Sequence, residues 1–236
     1  MPVITVGHDM MSDLHIQGQR YDATGQTVLF SYAGTRYQKR LPLVGGFQAH
    51  NALVAAGLAL ATGEPADEVF GALEHLNGVR GRMELAATRD NGGAVFVDYA
   101  HTPDAVSTAI TALRPHVMGR VVAIIGAGGD RDRSKRPLMG AAAAQAADIV
   151  IITDDNPRSE DPDTIRAAVA EGAPEAMVVG DRAEAILRGV DLVGAGDALI
   201  ICGKGHETTQ IVGDVTYPFD DVEQASVAVA ALEGRL

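Results

Sequence analysis

Residues 120–158 read RVVAIIGAGGDRDRSKRPLMGAAAAQAADIVIITDDNPR. An apolar run, VVAII, breaks into glycines and charge at GAGGDRD. A helical stretch, KRPLMGAAAAQAA, follows, and a second apolar run, DIVIIT, opens at once into Asp154, Asp155, Asn156, Pro157 and Arg158. Apolar runs without polar alternation are strands covered on both faces, and a helix between two of them is the crossover of a parallel sheet. The pattern extends outward in both directions. AVFVDYA (94–100), AMVVG (176–180) and DALIICG (197–203) are further strands, separated by the helical stretches TPDAVSTAITAL, TIRAAVAEG and DRAEAILRGV. TQIVGDVTYPFDD (209–221) predicts a hairpin before a last amphipathic helix, VEQASVAVAALEG. The whole predicts an open, mostly parallel α/β sheet.

Residues before Arg80 have another texture. TVLFSY and TRYQKRLPL flank Ala33-Gly34-Thr35 and predict a hairpin; GGFQAHNALVAAGLALATG predicts a helix stopped at Gly63. A second helix is expected from Pro65 through EVFGALEHL, since proline suits a first helical turn. The chain therefore divides into residues 1–79 and 80–236.

The 236 residues are 47% apolar and 21% charged, with a net charge of -12. That excludes a generic nucleic-acid surface, which needs clustered Lys and Arg. It leaves room for a small anion held by a local basic cluster. The single cysteine, Cys202, excludes an internal disulfide and fits a reducing, cytoplasmic setting. No apolar run is long enough to span a membrane, and MPVITVGHDMM lacks the pattern of a signal peptide.

The polar punctuation carries the chemistry. DYAH, GAGGDRD, TDDNPR and GKGHE each follow a strand, and in open α/β sheets ligands bind outside the carboxyl ends of the strands. Four charged loops thus share one rim. In TDDNPR, acids suit an ammonium and arginine a carboxylate; the alternative is a solvated turn. GAGGDRD resembles a dinucleotide fingerprint, but Arg131 stands where the third glycine belongs. The basic run Arg131, Arg133, Lys135, Arg136 lies just before a helix N-terminus, a favourable place for an anion. None of the three lysines, Lys39, Lys135 and Lys204, stands in a G-x-x-x-x-G-K-[ST] phosphate loop. Asp98 and His101 suit metal, acid–base or nucleotide roles, or a plain hydrogen-bonded structural pair. Paired-cysteine and H-x-x-x-H spacings are absent, as is a G-x-S-x-G elbow.

GRMELAA, VDYAHTPDAV, GAGGDRDRSKRPLMG, TDDNPRSEDP and CGKGHETTQ, in this order, resemble the motifs of the Mur ligase family. The likeness is greatest to the branch that adds meso-diaminopimelate during peptidoglycan precursor synthesis, and it covers essentially the whole chain. It implies a Rossmann-like C-terminal domain, preceded by a β-plus-helix part of the central ATP-binding domain. It also implies that Arg131, Asn156 and Arg158, with Pro157 between them, hold the far carboxylate of diaminopimelate. Asp155, Glu207 and the carbonyl of Gly203 would receive its far ammonium. Asn51, Arg82, Asp98 and His101 would face ATP. In the family the D-glutamate carboxylate of a UDP-N-acetylmuramoyl dipeptide is phosphorylated, and the near amine of diaminopimelate attacks the acyl phosphate.

The family's GTNGKT phosphate loop and its carbamylated, magnesium-holding lysine do not occur in this sequence. The expectation is therefore a monomeric part of such a ligase, inactive alone, supplying the diaminopimelate site and closing by a hinge near Arg80. A non-catalytic amino-acid-binding module is the alternative. A nicotinamide-dependent dehydrogenase, resting on GAGGD and the acidic pair, is a distant third.

Overall fold

The computed structural model describes residues 3–235, which form two compact units dividing between Gly78 and Val79. In the first unit, β1 (Val6–Gly7), β2 (Leu14–Asp22), β3 (Gly25–Tyr32) and β4 (Thr35–Leu41) form a mixed sheet in that order. Only the β1–β2 pair is parallel. The predicted β3–β4 hairpin is present, on a two-residue turn: Ala33 and Gly34 both have positive φ, 48° and 79°, and Thr35 already belongs to the strand. Such a turn matches the strands' own twist. Strand β2 breaks register between Ile16 and Gly18, so its burial does not alternate along its length.

Two helices complete this unit, α1 (Phe47–Ala61) and α2 (Ala66–Ala72). Pro65 caps α2, which is shorter than expected, since Leu73–His75 tightens into a 3₁₀ turn. Leu14, Val28, Phe30 and Leu41 of the sheet bury against Leu53 and the alanines of α1. Phe70 of α2 meets Phe30 edge-on at 5.0 Å between ring centres.

The second unit holds a six-stranded sheet in the order β5 (Glu84–Thr88), β6 (Ala94–Asp98), β10 (Ala198–Cys202), β7 (Val121–Ile125), β8 (Ile149–Ile152) and β9 (Met177–Val178). Every neighbouring pair is parallel except β5–β6. Four helices connect the strands, α3 (Pro103–Leu113), α4 (Lys135–Ala146), α5 (Pro162–Ala170) and α6 (Arg182–Leu192), and a fifth, α7 (Asp221–Leu232), follows the last strand. All five residues of β7 and of β10 are buried, as strands sandwiched between helix layers must be. Carboxylate and hydroxyl caps start four of the helices, at Thr102, Asp161, Asp181 and Asp220. The expected C-terminal hairpin is β11 (Thr209–Val212) with β12 (Val215–Pro218). The expected α/β fold is thus present, preceded by a small mixed sheet.

Two largely covered carboxylates make this unit acid-sensitive. Glu160 takes Nη1 and Nη2 of Arg136 at 3.1 and 2.8 Å and the Asp130 N–H at 2.6 Å, and this pairing lowers its carboxyl to about 2. Asp197, gripped by the side chain and N–H of Arg120, also falls to about 2. A depressed carboxyl stabilises the fold above its unfolded pKa and loses that contribution as pH falls through the folded value. Asp98 and Asp154 are raised by burial and run the opposite way, offsetting part of the loss. The urea midpoint is therefore expected to drop between pH 4.5, the ordinary glutamate value, and about pH 2, and Glu160→Gln to flatten that slope. An unchanged slope in the variant would remove Glu160 from the account.

Candidate functional site

The four charged loops do share one rim. The ends of β6, β7, β8 and β10 surround a cavity of about 420 Å³ lined by Arg131, Asp155, Asn156, Arg158, Gly203, Glu207 and His101. That volume lies in the range of small-ligand pockets. Arg131, Lys135 and Arg158 bring positive charge to it, while Asp155 and Glu207 bring negative charge. A cavity with both signs suits a ligand head group that also carries both.

The loop after β8 is held in an unusual shape. Arg158 lies in the left-handed region, φ 51°, a conformation that costs free energy and persists only where its surroundings enforce it. Here the enforcement comes from β11. The Arg158 N–H donates to the Ile211 carbonyl (3.0 Å), and the Arg158 carbonyl accepts from Gly213 (2.7 Å). The side chain then folds back, its Nη1 donating to the Gly129 carbonyl at 2.8 Å. Its Nε and Nη2 find no acceptor among the described residues. Pro157 contributes backbone rather than lining: a Cβ on Gly129 would sit 1.8 Å from the Pro157 carbonyl oxygen, so only glycine lets the β7 and β8 loops meet.

Asp155 is buried, and a Cβ on Gly203 would fall 2.5 Å from its Oδ2. Gly203, at φ 117°, thus lets the β10 loop pass directly beside that carboxylate. Asp154, the other half of the acidic pair, turns away to Arg166 of α5. Asn156 is also buried; its Nδ2 donates to Glu207 Oε2 at 3.0 Å, and its Oδ1 accepts from the Ile211 N–H at 2.9 Å. The amide's second N–H finds no acceptor among the described residues. Arg131 is exposed at the mouth, with its Nη1 on the Asp130 carbonyl at 3.1 Å.

Of the residues expected to face a nucleotide, Arg82, Asp98 and His101 lie together around Tyr99. Asp98 is buried, and its two oxygens accept the N–H groups of Met83 (2.8 Å) and Ala100 (2.9 Å). Burial raises its carboxyl despite those bonds. Arg82 lies 5.0 Å over the Tyr99 ring, a cation–π contact, and His101 and His206 flank the same ring at 4.5 and 5.0 Å. Asn51 belongs to the first unit, exposed on α1, where its Nδ2 meets Gln48 at 3.4 Å.

Three features were not foreseen from sequence. Lys204 lies fully buried under the cavity. Gln210 donates to the Asp155 carbonyl at 2.8 Å. Arg182 and Asp221 form an ion pair with no exposure at all, through two bonds of 2.7 Å. Arg182 also reaches the carbonyls of Asp154 and Cys202, tying the β8 and β10 loops together beneath the cavity. Burial opposes its charge, yet Asp221 more than offsets that and keeps its pKa above the usual value. A lysine between glycines after a buried strand was a visible signal for the first; for the others, the partners lie too far apart in sequence.

Residues 81–205, more than half of the chain, match the family described as Mur ligase, glutamate ligase domain. The chain belongs to the Mur ligase family. It is 50% identical over 232 residues to the UDP-N-acetylmuramoyl-L-alanyl-D-glutamate–2,6-diaminopimelate ligase of Caulobacter vibrioides, covering 98% of this chain and 47% of that protein. The ligase of the same name from Agrobacterium fabrum is 52% identical over 209 residues, 89% of this chain and 43% of its own. A solved structure of such a ligase superposes with a TM-score of 0.74 at 36% identity, covering 95% of this chain and 47% of that one. This Mur ligase sequence therefore spans about half the length of the relatives it matches. The membership removes the support for a nicotinamide-dependent reading, which rested on GAGGD and the acidic pair and was already weakened by Arg131 in the place of the third glycine.

Proposed function

We propose that this chain forms the amino-acid-holding part of an ATP-dependent amide ligase that adds meso-diaminopimelate to a UDP-N-acetylmuramoyl dipeptide. The observation that carries the reading is the two-signed cavity at the rim of the sheet, in a chain half identical to ligases of that name. Arg158 and Arg131, with the free N–H of Asn156, take the far carboxylate. Asp155, Glu207 and the Gly203 carbonyl take the far ammonium. A guanidinium grips a carboxylate with two parallel bonds, which fixes direction as well as charge. Holding the far end leaves the near amine projecting toward the reacting carboxyl, so the chain's contribution is positioning.

The nucleotide enters this reading only in part. Arg82, stacked on Tyr99 beside His101, offers a cation and a ring face. Asp98, its oxygens taken by backbone, contributes by fixing those neighbours. Asn51 is assigned to the same nucleotide from the first unit by family resemblance alone. ATP supplies the phosphoryl group that activates the carboxyl, but this chain contains no phosphate loop of the G-x-x-x-x-G-K-[ST] kind. Nor do the described residues hold a cluster of three His, Cys, Asp or Glu fit for magnesium. No step through the metal is therefore assigned to these residues. No described helix is long and apolar enough to cross a membrane.

Titration calorimetry of the 236-residue chain tests the proposal. Meso-diaminopimelate is expected to bind at least tenfold more tightly than lysine, which lacks only the far carboxylate; loss of one charge-assisted contact is worth roughly 1.5–3 kcal/mol. The same preparation, given ATP, magnesium and both substrates, is expected to release no phosphate. Equal affinity for the two amino acids would contradict the binding role, and turnover would contradict the division of labour. A binding module without a catalytic partner would show the first result and no gain when the remaining half of the ligase is added.

A further inference from the structure

Lys204 is fully buried against two residues of the cavity lining, Asn156 and Glu207, and its ammonium is not left without partners. Its Nζ faces three acceptors: Asn156 Oδ1 at 3.3 Å, Glu207 Oε2 at 3.5 Å, and the Thr209 carbonyl. An ammonium has three donors and no acceptor, so the set is complete. The turn that follows, closed by the Glu207 N–H on the Lys204 carbonyl at 2.9 Å, brings Glu207 back over the lysine.

The consequence is a defined orientation for two groups above it. Asn156 Oδ1 receives both Lys204 and the Ile211 N–H, so its amide cannot reverse without setting donors against donors. Its Nδ2 is therefore fixed toward Glu207 Oε2, at 3.0 Å. Oε2 is bracketed by Asn156 and Lys204, while Oε1 finds no donor among the described residues. One carboxylate oxygen is anchored and the other is presented.

We infer that Lys204 is a positioning residue for ammonium recognition: it anchors Glu207 and Asn156 so that Glu207 Oε1 meets the far ammonium of the amino-acid substrate. This rests on the diaminopimelate reading of the cavity. It goes beyond that reading by giving the buried lysine a part in selectivity, although Lys204 itself touches no ligand.

Three ligands separate the possibilities. Lysine keeps the far ammonium without the far carboxylate, 2-aminopimelate keeps the carboxylate without the ammonium, and meso-diaminopimelate has both. In the folded Lys204→Met chain, affinity for meso-diaminopimelate and for lysine is expected to fall roughly tenfold, while that for 2-aminopimelate stays within twofold, because the Ile211 N–H still holds the Asn156 amide in place. Adding Lys204→Met to Glu207→Gln is expected to cost nothing further, because the two act through one carboxylate. Equal losses for all three ligands, or additive losses in the double variant, would reduce Lys204 to a packing residue and overturn the inference. Indifference of the unmodified chain to the far carboxylate and the far ammonium would overturn the diaminopimelate reading itself. Should Lys204→Met not fold, ¹⁵N-lysine labelling of the unmodified chain decides, since only three lysines are present. Lysine and meso-diaminopimelate are expected to move the Lys204 Nζ resonance and 2-aminopimelate to leave it in place; the same movement with all three would overturn the inference.

Discussion

Arg158→Lys is expected to lose 10- to 100-fold in affinity for meso-diaminopimelate, and to leave lysine bound as weakly as before. The Arg158 backbone is left-handed whichever side chain it carries, so lysine inherits the same strain and the comparison isolates the head group. Its Nη1 is committed to the Gly129 carbonyl, which leaves Nε and Nη2 to grip a carboxylate. An ammonium cannot hold both the carbonyl and the carboxylate in those directions. A charge-assisted contact is worth roughly 1.5–3 kcal/mol, and each 1.4 kcal/mol is tenfold. Calorimetry on both ligands checks it. A parallel fall for lysine would mean that the substitution had displaced the loop instead of removing a contact.

The largest effect on stability is expected at Arg182. Removing one member of a buried ion pair strands the other without water, at a cost of about 3–5 kcal/mol, whereas replacing both with apolar residues is often neutral. Arg182→Met is thus expected to lower the urea unfolding free energy by that amount, and Arg182→Met with Asp221→Leu to recover most of it. Recovery of stability need not restore binding. Arg182 also donates to the carbonyls of Asp154 and Cys202, at 3.3 and 3.1 Å, and those bonds align the β8 and β10 loops on either side of the cavity. A stable double variant that binds meso-diaminopimelate less tightly is the expected pairing of results. A double variant as unstable as the single one would contradict the pairing argument.

The second unit was legible because β6, β7, β8 and β10 are continuous apolar runs ended by charge, and the rule that ligands gather at carboxyl ends then located the rim. Strand β5 escaped notice: ELAAT is short, and Leu85 is exposed on the sheet's antiparallel edge. The first forty or so residues read as β structure, and β2, LHIQGQRYD, lies among them, although its polar residues and its break at Gly18 blur its alternation. Of the cavity lining, Arg131, Asp155, Arg158 and Glu207 were legible as charges on loops after strands, whereas the role of Gly203 came from the family resemblance alone. What was not legible depends on contacts across the chain. Nothing local marks Ile211 as the partner of Asn156, or Asp221 as the partner of Arg182. In sequence Lys204 stands outside any phosphate loop, and only its burial shows that it faces inward to Asn156 and Glu207. Asp98 was open to a structural or a nucleotide role, and its bonds to Met83 and Ala100 supply the structural one.

The central claim is that the rim cavity holds the far zwitterion of a diamino diacid. A crystal structure of the chain soaked with meso-diaminopimelate tests it most directly. The account predicts the far carboxylate within hydrogen-bonding distance of Arg158 and the far ammonium between Asp155 and Glu207. Density for the ligand with that end in solvent, or seated away from the ends of β7, β8 and β10, would contradict it.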